Sequence, residues 1–175
     1  MPDAVVIGAG PNGLVAANVL VDAGWSVEVL EAREEPGGAV RSDRGVHPDY
    51  VSDLFSAFYP LAAASPVLAR LDLAAEGLRW SHAPRVLAHP LRDGGCAVLE
   101  RRVQDTAAAG SGGFGWLMSM LGQSHGFPVP VGGAGALTAA LVSRLQRHGG
   151  SLRCGERVAS VVVRGGVLRP ASRST

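Results

Sequence analysis

Apolar residues come in short blocks along this chain, and the spacing within each block separates strand from helix. Ala4-Val5-Val6-Ile7 is an unbroken β-branched run, which predicts a buried parallel strand. Residues 14–24, LVAANVLVDAG, switch to the helical period: Leu14, Ala17 and Val21 fall at i, i+3 and i+7, and Gly24 predicts the stop. Residues 26–30, SVEVL, predict a second strand that ends on Glu31. Residues 86–91 and 96–99 flank Asp93-Gly94-Gly95, a hairpin signal. Further on, Ala136, Ala140, Leu141 and Leu145 line one helical face, and Gly149-Gly150 ends that helix. Residues 151–163 then supply two short strands, with Val161-Val162-Val163 the clearest run. The expected nucleotide sheet is therefore built from residues 4–7, 26–30 and 158–163.

Between the first strand and the first helix lies Gly8-Ala9-Gly10-Pro11-Asn12-Gly13. Strand, glycine turn, helix, strand, acid is the order of a dinucleotide-binding unit, and each part has a physical task. Gly8 allows the tight turn out of the strand. Gly10 lets backbone approach a pyrophosphate, and Gly13 lets the helix lie close to the sheet. The free N–H groups and positive end of the helix meet the phosphate charge. Glu31, 23 residues after Gly8, is placed to accept hydrogen bonds from ribose hydroxyls. Its charge would repel a 2′-phosphate, which argues against NADP. The competing reading is a glycine-rich loop with no ligand.

Composition narrows the class. Charged residues are 18% and apolar residues 47%, so the chain is not disordered. Gly (24) and Ala (26) are abundant, and the apolar fraction is partly Ala, which builds little core. All 16 basic residues are arginine, which reads as codon bias. No run of about 18 apolar residues predicts a membrane span. No basic region precedes the first apolar run, so a cleaved signal peptide is not expected, and the expected location is the cytoplasm. A net charge of +1 gives no argument for nucleic acid. Cys96 and Cys154 match no metal or redox spacing, and the five histidines (47, 82, 89, 125 and 148) match no metal motif. No metal site is expected, no serine lies in a nucleophile elbow, and no catalytic residue can be named. Phe114, Trp116, Leu117, Met118 and Met120 form an apolar cluster, read as core packing rather than a substrate wall.

The charge is split. Residues 1–105 carry 9 Arg against 14 acids, and residues 106–175 carry 7 Arg against Glu156 alone. The change falls at TAAAGSGG, residues 106–113, a linker-like patch.

Glu31-Ala32-Arg33-Glu34-Glu35-Pro36-Gly37-Gly38-Ala39-Val40-Arg41-Ser42 resembles the extended FAD fingerprint of flavoproteins. Residues 46–60 (VHPDYVSDLFSAFYP) and 127–133 (FPVPVGG) resemble segments of phytoene desaturase-like FAD-dependent oxidoreductases, relatives of carotenoid desaturases and flavin amine oxidases. The resemblance implies an α/β, Rossmann-like FAD/NAD(P)-binding three-layer fold, here incomplete, with a small hairpin and helical remnant of a substrate domain. It implies FAD as cofactor, held by Gly8, Ala9, Gly10, Pro11, Asn12 and Gly13. Glu31 would hold the ribose with Ala32 and Arg33 beside it, and Gly37 and Gly38 would give backbone approach. Arg41 reaches the flavin or its phosphates, or else faces solvent. Val158 meets the adenine, or else is an ordinary core valine. Ala39 departs from the pattern, since relatives often place Arg directly after the Gly-Gly pair.

By the same resemblance the chain divides into a nucleotide-binding segment with the start of a substrate region (1–105) and a helix and strands returning to the nucleotide domain (114–165). Composition adds the junction (106–113) between them and a disordered tail (166–175), which has Pro170, small polar residues and no strand or helix period. Relatives are longer, so an internal shortening and a C-terminal truncation are expected. The implied activity is hydride transfer from an organic, apolar substrate to FAD. The alternatives are a truncated remnant that binds adenine dinucleotide weakly or not at all, and an NAD-binding dehydrogenase fragment. A sheet this small leaves apolar surface uncovered, which predicts self-association.

Overall fold

A computed structural model describes residues 1–92, 94–100, 120–122, 124–164 and 167–172. The described chain falls into two compact units. The first is Met1–Ser56, Asp72–Leu78 and Gly132–Thr175, and the second is Ala57–Leu71 and Arg79–Val131. The junction expected at residues 106–113, and Phe114 to Met118 of the apolar cluster, lie outside the described residues.

The first unit is an α/β Rossmann-like fold, as expected, and it is partial. Strand β1 (Ala4–Ile7) runs into helix α1 (Pro11–Asp22), which returns to β2 (Val27–Leu30). The two strands pair in parallel, Ala4 with Val27 through Ile7 with Leu30. The helix begins at Pro11 because proline suits the first helical position, and it ends at Ala23 before Gly24 turns the chain at φ +86°. Leu14 and Ala17 are buried, as the spacing requires. The third buried position is Asn18 rather than Val21, which is only half-buried.

The third sheet strand differs from the expected one. It is β9 (Ser151–Arg153), parallel to β2 with Val29 opposite Leu152, so the sheet order is β1-β2-β9. The valine-rich run forms β10 (Val158–Arg164), which pairs antiparallel with β11 (Val167–Ser172) in a separate hairpin. A three-residue strand between two glycine turns carries no readable period, whereas three consecutive valines advertise a strand without saying which sheet takes it. The tail expected to be disordered supplies β11 over Val167–Ser172, because cross-strand pairing with β10 satisfies its backbone groups.

Helix α4 (Gly135–Arg147) precedes β9 and packs against α1 and β9. Leu137, Ala140, Leu141 and Leu145 are buried on one face. A short antiparallel pair, β3 (Ser42–Asp43) and β4 (Ser52–Asp53), stands at the start of this helix.

Among its described residues the second unit holds α2 (Pro60–Ala64), α3 (Pro66–Arg70) and two antiparallel pairs. Strand β5 (Trp80–Ser81) pairs with β8 (Val129–Pro130). Strands β6 (Arg85–Pro90) and β7 (Cys96–Glu100) form the hairpin expected around Gly94-Gly95. Phe58 and Phe127 meet with ring centroids 6.2 Å apart, yet Phe58, Leu61 and Leu87 remain largely exposed.

Candidate functional site

The glycine turn, the acid after β2 and the Gly-Gly loop come together in the first unit. Gly8 continues the sheet, donating its N–H to the Leu30 carbonyl at 2.8 Å, and then turns with φ +97°, a value that favours glycine. Ala9 is fully buried. Gly10 begins α1 with extended backbone. A methyl group on Gly10 would meet no atom within 4 Å, so the turn is open above it. A methyl on Gly13 would overlap the Gly8 carbonyl oxygen, so this glycine sets how closely helix and strand approach.

The start of α1 is electrostatically open. The helix has no side-chain cap bond and no acidic residue in its first turn. Its first N–H groups have no partner within the helix. An uncapped helix start beside open space suits an anion such as a phosphate.

Glu31, half-buried, sits beside this turn. Its Oε2 accepts the Ala9 N–H at 2.7 Å, and its Oε1 accepts the Arg33 N–H at 3.0 Å. Two anchoring bonds fix the carboxylate and leave lone pairs for ribose hydroxyls, since a carboxylate offers about four acceptor sites. The side chains of Ala32 and Arg33 are exposed.

Gly37 reaches the same turn: its N–H donates to the Ala9 carbonyl at 2.7 Å. Its φ of +112° excludes a larger residue, and so does the tight fit around its Cα, where an added methyl would stand 2.9 Å from Thr138 Oγ1. Gly38 passes Gly10, so a methyl there would lie 3.4 Å from the Gly10 Cα. Arg41 folds back, donating from Nε to the Gly38 carbonyl at 3.0 Å, with Glu35 3.8 Å away. Its guanidinium therefore braces the loop. Val158 is half-buried at the start of β10, opposite Ser172, and does not belong to the β1-β2-β9 sheet.

Residues given no site role in the sequence reading complete the surroundings. The turn after β9 docks on Glu31. The Glu31 N–H donates to the Arg153 carbonyl at 2.9 Å, and the Glu156 N–H donates to the Glu31 carbonyl at 2.8 Å. Cys154 lies in this turn. Burial pushes its thiol above the ordinary value, and the Glu31 and Glu34 carboxylates add to the effect. Asn18 crosses between helices, donating from Nδ2 to the Leu14 and Leu141 carbonyls at 2.8 and 3.0 Å. Arg144 then donates to Asn18 Oδ1 at 3.2 Å and to Asp22 at 3.0 Å. A polar residue inside an apolar stripe was the available signal for Asn18. Nothing local marked the turn over residues 153–156.

A cavity of about 460 Å³ opens between the loop residues Pro36, Val40 and Arg41 and the α4 residues Thr138, Ala139 and Val142. None of Gly8 to Gly13, nor Glu31, lines it. Among the described residues, no cluster of three or more His, Cys, Asp or Glu side chains could hold a metal, and no helix is long and apolar enough to cross a membrane.

Comparison with known proteins agrees with this geometry. Residues 6–71 match the NAD(P)-binding Rossmann-like domain. An L-amino-acid oxidase from Daboia russelii is 52% identical over 50 residues, 29% of this chain and 10% of that protein. A putrescine oxidase from Kocuria rosea is 64% identical over 36 residues, 21% of this chain and 8% of that protein. The matches thus span about a tenth of these relatives' length. An oxidoreductase from Methanosarcina mazei shares the fold with a TM-score of 0.57 at 18% identity, covering 97% of this chain and 56% of that one.

Proposed function

We propose that this chain, whose residues 6–71 match the NAD(P)-binding Rossmann-like domain, binds FAD through that segment in the service of an oxidoreductase reaction. The observation that carries the reading is the seating of the Gly37-Gly38 loop on the phosphate turn, through the Gly37 N–H to Ala9 carbonyl bond. The turn and the acid alone would serve NAD as well as FAD. The backbone of the Gly-Gly pair beside them is the part that the FAD fingerprint over residues 31–42 adds.

In this reading the first N–H groups of α1 hold the pyrophosphate, Glu31 accepts from the ribose, and Gly37 and Gly38 line the cofactor's path. Arg41 holds that loop through the Gly38 carbonyl, and Val158 is kept as the adenine contact. FAD, when bound, supplies the acceptor for a hydride leaving an organic substrate. The chain's own contribution is to bind and orient. The names of the matched relatives, amino-acid and putrescine oxidases, weigh towards an amine substrate over the apolar one that the desaturase resemblance implies. Exposed Phe58, Leu61 and Leu87 support self-association, which sedimentation at rising concentration tests.

The deciding experiment is a visible spectrum of the purified chain before and after FAD is added, with an ADP-ribose titration beside it. A bound oxidised-flavin band supports the reading. A colourless chain that still binds ADP-ribose makes it an adenine-nucleotide binder only, and binding of neither overturns the site. Glu31→Ala removes a charged acceptor and is expected to weaken nucleotide binding by about 1–3 kcal/mol.

A further inference from the structure

Helices α1 and α4 begin in opposite ways. The start of α1 is uncapped. The start of α4 also lacks a cap of its own, but a side chain from elsewhere fills it. Asp53 Oδ1 accepts the Ala134 N–H at 2.7 Å and the Ser42 hydroxyl at 2.6 Å, and Ser42 Oγ accepts the Gly135 N–H at 2.8 Å. A carboxylate and a hydroxyl thus take two of the helix's orphan donors, and the carboxylate complements the positive end. The fit is close: a methyl group on Gly133 would lie 2.6 Å from Ser42 Oγ and 2.9 Å from Asp53 Oδ1.

This latch leads to the phosphate turn through a short run of bonds. Ser42 directly follows Arg41, whose carbonyl accepts the Leu54 N–H at 3.0 Å. Thr138, one turn into α4, donates its hydroxyl to the Val40 carbonyl at 2.6 Å. Three residues earlier, Gly37 is bonded to Ala9. The loop is therefore held at one end by the phosphate turn and at the other by α4.

We propose that Asp53 is a positioning residue: by fixing Ser42 to the start of α4, it holds the Gly37-Gly38 loop against the phosphate turn and so sets dinucleotide affinity without touching the ligand. The affinity clause rests on the FAD reading above; the loop placement does not.

Amide hydrogen exchange and FAD titration test it together, on the parent chain, Asp53→Ala and Asp53→Asn. Loss of the acceptor in Asp53→Ala is expected to lower protection of the Gly37 amide about 5- to 30-fold, the factor for a lost helix cap. The amides of β2 should keep their protection. Asparagine retains an Oδ1 that can accept from Ala134 and Ser42, so Asp53→Asn should restore Gly37 protection. FAD affinity should fall in Asp53→Ala and recover in Asp53→Asn. Unchanged Gly37 exchange in Asp53→Ala, or uniform loosening of β2 with it, overturns the proposal. So does a loosened Gly37 with unaltered FAD affinity. If the parent binds no FAD but Gly37 still loosens selectively, the latch stands and the FAD reading fails. Ser42→Ala breaks the same latch from its other side and gives the same readings if Asp53→Ala does not fold.

Discussion

Gly13→Ala separates the role of packing from the role of ligand contact within one motif. Gly13 lies in the first turn of α1, directly over the end of β1. An added methyl would overlap the Gly8 carbonyl oxygen, and would stand 3.2 Å from the Gly8 carbonyl carbon and 3.4 Å from Val6 Cγ1. Two of these three neighbours are backbone, so no rotamer change relieves the contact, and α1 must move off the sheet. Forcing a methyl into a packed site costs about 1–3 kcal/mol. Alanine returns up to about 1 kcal/mol through helix propensity. Because the obstruction is backbone, the upper part of the cost applies, and a net loss of about 2 kcal/mol is expected. For a chain of this size that lowers Tm by about 4–8 °C. Gly10→Ala is the control: its methyl meets nothing within 4 Å, so its melt should match the parent while FAD binding falls. Thermal melts followed by circular dichroism, with FAD titrations at a temperature where both variants are folded, measure the two effects. A Gly13→Ala chain that melts at or above the parent would refute the close approach of α1 to β1.

Three other expectations follow from the surroundings of the site. Asn18→Ala removes three hydrogen bonds at the α1–α4 contact, the side-chain donations to the Leu14 and Leu141 carbonyls and the acceptor for Arg144, and should cost about 1–3 kcal/mol in urea unfolding. In a Cys96→Ser background, alkylation of Cys154 should show a pH–rate midpoint above the ordinary thiol value of 9.0, and Glu31→Gln should bring that midpoint down. Glu76 has its carboxyl held below the ordinary 4.5, first by the Ser143 hydroxyl and then by Arg147. A depressed carboxylate stabilises the fold above its unfolded pKa, and that contribution is lost as pH falls through the folded one. The Tm gap between the parent and Glu76→Gln should therefore be widest above pH 4.5 and close on further acidification, and a gap that stays constant with pH would rule this linkage out.

Local pattern was enough to specify β1, α1, β2, the glycine turn and the place of Glu31, because each rests on a signal carried by neighbouring residues: a β-branched run, a 3.6-residue period, glycines at fixed offsets, an acid at the strand end. It also marked α4 and the β6–β7 hairpin for the same reason. Which strand completes the sheet was settled only by folding. The edge of β2 selects Ser151–Arg153 by parallel pairing, and partners so distant along the chain leave no trace in local pattern. Folding likewise brings Asp53 to the start of α4, buries Asn18 rather than leaving it solvated, and joins Gly37 to Ala9. A side chain's polarity says what bonds it needs. Only the folded chain determines which distant backbone group supplies them.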